Sequence, residues 1–353
     1  MSSPKPFLRI PAGEGDWVKK ALSAASLLDK AFRIESRDGM LFFPLRHEVE
    51  HEIIREILGA VTFETGLKRF DPLSKPPRTL RDALTGKMSA EQMELLPRAY
   101  DLVGDIAVLE LPDEIASYGR QIGAAFLAVH SSFTTVLAKR GAVSGISRTR
   151  QYELLAGQDK TKTVHTEYGC RIAVDLAKAY FSPRLLEEHS RVARQVRDGE
   201  LIIDMFTGVG CFALQITRSH NSRVVAIDIN PDAIRLLRES MGLNRLRGEI
   251  TPVVADSRNY VRANFSGNAD RIIMNHPSGA LDFVSEACNA IKGNGTIHYY
   301  AFAGANNPDE EIIEKATQLI RESGRDLVEV RELKRVRESA PHEYQMVADL
   351  IIC

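Results

Sequence analysis

The chain is poor in several things. Its 353 residues hold four cysteines and one tryptophan. Cys170, Cys211, Cys288 and Cys353 stand far apart and form no CxxC pair. That argues against a zinc knuckle and against a disulfide framework, and it suits reduced thiols in a cytoplasm. Long apolar runs are missing too. The longest, Ile122 to Val129, is far too short to span a bilayer. The opening Met1-Ser-Ser-Pro-Lys-Pro6 lacks the basic-then-apolar pattern of a leader, and Cys353 is not a prenylation cysteine. Neither sign of charge dominates, with 46 Lys plus Arg against 47 Asp plus Glu. This balance excludes an indiscriminate polyanion coat and an acidic disordered tail, and it leaves room for a local basic face. One candidate is residues 131–150, which carry Lys139, Arg140, Arg148 and Arg150 and no acid.

What is present is an ordinary globular composition, 44% hydrophobic and 26% charged, in a chain long enough for about two to three domains. Residues 7–46 read as a small α/β unit. Phe7 to Ile10 predicts a strand. Trp17, Val18, Ala21, Leu22 and Ala25 recur at helical spacing, and two strands flank a turn at Ser36 to Gly39. A Pro-containing stretch follows, read as a linker that becomes a short helical region. Beyond Tyr100, strands are expected at 105–111, 134–138 and 171–177, with helices at 114–129 and 180–195. From residue 200, candidate strands at 201–205, 224–228, 251–254, 271–274, 296–300, 326–336 and 344–352 alternate with helices. That alternation predicts a mostly parallel, doubly wound sheet.

The strongest local signal is Leu201-Ile-Ile-Asp-Met-Phe-Thr-Gly-Val-Gly210, an apolar strand running into a glycine-rich turn and a helix. Such a turn lets backbone approach a ligand closely. Gly208 to Ala213 satisfies the loose GxGxxG/A dinucleotide pattern, a weak match on its own. Three carboxylates add to it. Asp204 ends the first strand, a placement typical of adenosylmethionine-binding methyltransferases. Asp228 ends the second strand, where it can accept two ribose hydroxyls, and Asp256 follows the third, near the position of an adenine edge. The competing account is that Asp204 and Asp256 only cap the following helices, which is less economical for three successive strand ends. Asn275-His-Pro277 ends a fourth strand, where Asn-x-Pro elements lie beside the reactive end of a cofactor.

With these elements in hand, the chain resembles the archaeal and eukaryotic tRNA (guanine-N1)-methyltransferases acting at position 37. The resemblance runs through Leu8-Arg-Ile-Pro11, Tyr100 to Ala107, Thr163 to Cys170, Val174 to Arg184, Asp204 to Gly210, Asp228 to Pro231, Asn275 to Pro277 and His298 to Tyr300. His165 to Arg184 is its most specific block. It implies a Rossmann-like methyltransferase domain with a middle α/β domain and a small N-terminal α/β domain. The expected division is 1–72 for docking on the tRNA elbow, 73–98 as linker, 99–190 for RNA binding and 191–353 for S-adenosylmethionine. It further implies a monomeric cytoplasmic enzyme, with neither metal nor membrane, acting on tRNA with guanosine at position 37. Glu188 would be the general base, Arg148 would sit at O6, Asn275 would fix the guanine edge and Tyr180 would pack near base or cofactor. Cofactor contacts would come from Asp204, Phe206, Gly208, Gly210, Asp228, Asn230, Asp256, Asn275 and Pro277. RNA contacts would come from Lys139, Arg140, Arg150 and His189. Two departures stand out: His276 where the family has Leu, and His189 where it has Arg.

Taken without the resemblance, Glu188 beside Glu187 reads as a solvated helix face, Arg148 as a phosphate contact and Tyr180 as core. The basic cluster Arg331, Lys334, Arg335 and Arg337 suits either an RNA-facing strand or an edge strand guarded by charge. Alternatives of function are a wyosine-pathway methyltransferase acting on a tricyclic guanine derivative, a NAD-dependent oxidoreductase, and a non-enzymatic RNA-binding protein. An aminocarboxypropyl-transferring branch generally lacks the Asn-x-Pro element, so Asn275 and Pro277 count against it.

Overall fold

The computed structural model describes residues 4–353 apart from 74–76, 145–148 and 341. The chain forms two compact units, Met1–Pro77 and Arg78–Cys353. In the first, β1 (Lys5–Pro11), α1 (Gly15–Ala24), β2 (Glu35–Arg37), β3 (Met40–Pro44), α2 (His51–Leu58) and β4 (Glu64–Lys68) build a four-stranded sheet of order β2-β3-β1-β4. Val18 and Leu22, one helical turn apart on α1, bury against Leu8, Ile10, Phe43 and Ile54. Trp17 belongs to the expected helical stripe but lies 40% exposed, its indole donating to Glu14 at 2.6 Å. The expected turn is a hairpin turn in which Asp38 and Gly39 take φ of 49° and 73°.

The second unit starts inside the expected linker. Helices α3 (Leu80–Leu84) and α4 (Ala90–Glu94) begin in capping boxes built on Thr79 and Ser89. Leu84 and Leu96 are buried beside Phe126 of α5 (Gly119–Val129). The later half of residues 73–98 is therefore part of a packed layer. That layer covers a sheet ordered β5 (Asp101–Val103), β6 (Ile106–Leu109), β7 (Thr135–Ser144) and β8 (Thr149–Gly157). A two-stranded hairpin, β9 (Lys162–Glu167) and β10 (Cys170–Asp175), and helix α6 (Leu186–Gln195) follow.

The remaining elements alternate as expected: β11 (Leu201–Asp204), α7 (Cys211–Ser219), β12 (Arg223–Asp228), α8 (Pro231–Leu243), β13 (Glu249–Val254), α9 (Ser257–Asn264), β14 (Ala269–Met274), α10 (Val284–Ala290), β15 (Ile291–Gly304), α11 (Pro308–Glu322), β16 (Leu327–Ala340) and β17 (Glu343–Ile352). The sheet order is β13-β12-β11-β14-β15-β17-β16. The first five are parallel; β17 and then β16 are added antiparallel. From β11 the chain winds outward to β13 and then crosses back to β14. The order therefore reverses between β11 and β14, the switch point where open α/β sheets bind ligands at their carboxyl ends. Strand β16 is the edge, and its pairing with β17 is interrupted by four register shifts.

Candidate active site

The switch point opens a cavity of about 250 Å³. Its floor is the turn after β11. Gly208 and Gly210 have φ of 55° and 86°, a left-handed conformation that favours glycine. Their roles differ. A side chain at Gly208 would extend into open space, its nearest neighbour being the Tyr180 carbonyl at 3.9 Å, so this glycine leaves room above the loop. A side chain at Gly210 would collide with Leu237 of α8, so Gly210 serves helix packing.

The strand-end acids divide in the same way. Asp228 accepts from the Gly208 N–H at 2.7 Å and from the Asn230 N–H at 2.8 Å, and burial pushes its carboxyl up. Each oxygen retains a lone pair for a hydroxyl ligand. Asp256 accepts from Asn259 N–H and caps α9, so the capping account holds for it although it lines the cavity. Asp204 caps no helix, α7 starting from Gly210 without a side-chain cap; Asn230 caps α8. Asp204 is fully buried behind Thr207, whose hydroxyl donates to it at 2.8 Å. Burial pushes its pKa up to about 7, and its Oδ1 has no partner. Asp204 does not line the cavity; its partner Thr207 does, and the unpaired acceptor behind that hydroxyl suits a ligand carrying a donor.

The far wall follows β14. Asn275, His276 and Pro277 line the cavity, and the Pro277 carbonyl accepts from Phe302 N–H of β15. Phe206 meets the His276 ring edge-on at 5.0 Å and the Phe283 ring at 4.9 Å.

A second cavity, about 390 Å³, shares Tyr180, Phe181, Ser182, Phe302 and Arg337 with the first. Lys139 and Arg150 line it. Lys139 pairs with Asp101 at 2.9 Å and Glu110 at 3.4 Å. Arg140, the next residue on β7, does not line this cavity and donates to Glu153 at 2.7 Å. Arg148 lies outside the described residues. Tyr180 is at the divide between the cavities, so it is not plain core.

Helix α6 carries the other expected residues, and both are 3% exposed. Glu188 is therefore not on a solvated face. It accepts from Tyr300 hydroxyl at 2.9 Å and pairs with Arg191 at 3.0 Å and Lys334 at 2.7 Å. Burial raises its pKa, but the two cations more than offset this and hold it below the ordinary range. Glu188 does not line the first cavity; His189 does. His189 Nδ1 lies 2.8 Å from Glu167, which also accepts from Gln215. Glu167, His189 and Cys211 bring ligand-type atoms within 4.8 Å of one another, yet burial pushes the Cys211 thiol well above its ordinary value, against a thiolate.

Sequence reasoning missed Phe283, Phe302 and Gln345 and left Arg337 undecided. The signal for Arg337 was the basic cluster on β16, and the structure divides that cluster. Arg331 and Arg335 pair with Glu329 and Glu338 on the exposed side. Lys334 turns to Glu188 and Arg337 to the cavities.

Three family models match in succession: the tRNA methyltransferase 5 N-terminal domain over residues 8–53, the TYW2 N-terminal domain over 80–161 and the TRM5/TYW2 methyltransferase domain over 163–331. The chain is 33% identical over 342 residues to the tRNA (guanine(37)-N(1))-methyltransferase Trm5b of Pyrococcus abyssi, covering 97% of each. It superimposes on the structure of an archaeal Trm5 complexed with tRNALeu with a TM-score of 0.70 and 33% identity, covering 98% of this chain and 99% of that one. It also matches the Methanocaldococcus jannaschii TYW2 complexed with AdoMet, with a TM-score of 0.56 and 25% identity over 72% of this chain and 99% of that one. On near full-length identity and a cavity fitted to a nucleoside cofactor, the chain belongs to the adenosylmethionine-dependent TRM5/TYW2 methyltransferase family.

Proposed function

We propose that this chain transfers the methyl group of S-adenosylmethionine to N1 of guanosine 37 in tRNA. The observation that carries the reading is the pair of adjoining cavities. One is floored by Gly208 and walled by Asn275 and Pro277; the other is lined by Lys139 and Arg150; Tyr180, Phe181 and Phe302 stand between them. A planar base entering past the cations meets aromatic side chains at the divide, as extraction of a base from a loop stack requires. Asp204, Phe206, Gly208, Asp228, Asn230, Asp256, Asn275 and Pro277 would hold the cofactor, with Gly210 shaping the turn. When bound, that cofactor supplies an electrophilic methyl group on a sulfonium.

Guanine N1 carries a proton that must leave, and negative charge then develops toward O6. Glu188 is the proton acceptor in this reading and Arg148 the cation at O6, with Asn275 holding the guanine edge. The pinned state of Glu188 is its resting state. Lys334 is the most exposed of its partners, with 36% of its side chain accessible. Moving Lys334 onto an RNA phosphate would raise the basicity of Glu188 when substrate is present. Arg140 contributes to the RNA contact and the 1–77 unit is assigned to docking on the tRNA elbow, whereas His189, buried against Glu167 in the first cavity, stands away from RNA in this reading.

The test is incubation with labelled S-adenosylmethionine and unmodified tRNA bearing guanosine 37, with nucleosides identified by mass spectrometry. N1-methylguanosine is expected. A second reading is methylation of a tricyclic guanine derivative at the same position. Product only on tRNA carrying that base would select it. The TYW2-type match over 80–161 speaks instead for the aminocarboxypropyl-transferring branch, whose Pyrococcus horikoshii member is 32% identical over 271 residues. Glu188→Gln should lower turnover by about 10²- to 10⁴-fold with cofactor affinity intact. Unchanged turnover would remove Glu188 as the base.

A further inference from the structure

Arg337 is the one member of the β16 basic cluster that lines both cavities. Its Nε donates to Gln345 Oε1 at 2.8 Å, Nη1 to Ser182 Oγ at 3.1 Å and Nη2 to the Tyr180 hydroxyl at 3.0 Å. All three acceptors are neutral. Among the described residues, no carboxylate lies within ion-pair distance of Arg337, although acids are close at hand. Asp101 and Glu110 pair with Lys139, Glu338 pairs with Arg335, and Glu343 accepts from Ser339. A half-buried guanidinium is thus oriented on three sides and left unneutralised. Three of its five N–H groups are used, which leaves one on each terminal nitrogen.

Its neighbours indicate what it is aimed at. Gln345 Nε2 reaches Asn275 Oδ1 at 3.4 Å, so the guanidinium, an amide and the Asn-x-Pro element form one hydrogen-bonded chain. Tyr180, Phe181 and Phe302 share the divide with it. This is an edge-reading cluster beside aromatic faces, suited to a planar purine. A phosphate would be met earlier, by Lys139 and Arg150 in the second cavity. The free cation suits an acceptor that gains negative charge during reaction.

We infer that Arg337 is a catalytic residue that donates to O6 of the target guanine and stabilises the charge that builds there as N1 loses its proton. The inference rests on the guanine-N1 reading above. It adds a second positive group to the role given to Arg148, contributed from the edge strand β16.

The test compares wild type, Arg337→Met and Arg337→Lys in methyl transfer to tRNA with guanosine 37 across pH, alongside cofactor binding by calorimetry. Arg337→Met should lose about 100-fold in kcat, the scale of one lost oxyanion donor, with cofactor affinity within about twofold of wild type. Its rate should keep rising at pH values where the wild type has levelled, because N1 is less acidic without the cation. Arg337→Lys should recover part of the rate and of the pH shift, since it restores charge without the fork. A uniform loss with an unmoved pH profile would mean a structural role and overturn the inference. So would unchanged turnover, or loss of cofactor binding, which would place Arg337 at the cofactor. Wild type inert on guanosine 37 would sink the underlying reading, and the inference with it.

Discussion

Asp204 and Asp349 are both fully buried carboxylates on strands of the same sheet, and they behave in opposite ways. Asp204, at the end of β11, has one hydroxyl donor and one orphan oxygen, and burial pushes it up to about 7. Asp349, on β17, is pulled the other way. Burial alone would raise it, but His298 at 2.6 Å and the bidentate Arg191 at 2.5 and 3.1 Å hold it far below the ordinary range. Gln195 donates to it as well, and Arg271 extends the network from His298 to Glu200. Burial is the same, so partners decide. A network with its lone pairs filled is scaffolding; an acid left short of donors behind a cavity-lining turn suits a ligand that completes the set.

Asp349→Asn should cost about 1–3 kcal/mol in urea unfolding, since buried donors of Arg191, His298 and Gln195 lose a charged acceptor while Arg191 keeps Glu188. The folded pKa is depressed. Its contribution is therefore complete above the unfolded value of about 4 and lost as pH falls below it. An unchanged unfolding midpoint for that variant would refute the scaffold assignment.

Asp204 gives the mirror image. Its folded pKa is raised, so folding stability declines as pH rises from about 4 to about 7 and is level above that. Asp204→Asn should remove this slope and leave stability at neutral pH unchanged or higher, while weakening cofactor binding by about 1–3 kcal/mol. In the wild type, affinity for a cofactor bearing a cationic amino group should rise as pH passes about 7, when Asp204 ionises. Calorimetric titration from pH 6 to 8 reads both effects, about two pH units spanning the change. A variant binding as tightly as wild type would mean that Asp204 holds only Thr207.

The two acids also show what could be read from sequence. Asp204 was legible because its signal is local: apolar strand, acid, glycine turn, within ten residues of Leu201. The strands of the last sheet were legible for the same reason, each a short apolar run between turn signals. Asp349 was not. It sits in an unbroken apolar strand, and its partners His298 and Arg191 lie 51 and 158 residues away, joined only by strand pairing and by α6. Arg337 and Lys334 lie between these cases. The cluster at 331–337 was visible, but its inward members depend on register shifts in β16 that no periodicity announces. Glu188 was legible only through family resemblance, because its neighbours on α6 read as a polar face.

Glu188 occupies the middle of the comparison, and it gives the smallest effect. It has the donors of a scaffold acid in Arg191 and Tyr300, but Lys334 reaches it from an edge strand that is open to solvent. Lys334→Met should change stability by under about 1 kcal/mol, since a partly exposed pair contributes little. It should still raise the pKa of Glu188, because one of the two cations that offset burial is gone. Carbon-detected NMR titration of labelled glutamate checks this in the free protein, without tRNA. If Glu188 titrates identically in the variant, Lys334 has no hold on it. Glu188 then belongs with Asp349 as scaffold, and the proposed release of a base on RNA binding fails at its first step. If the titration moves up and stability at neutral pH falls only by the matching amount, about 1.4 kcal/mol per pKa unit, Glu188 is a buried acid whose charge is governed from the surface, as a base switched on by a polyanionic substrate requires.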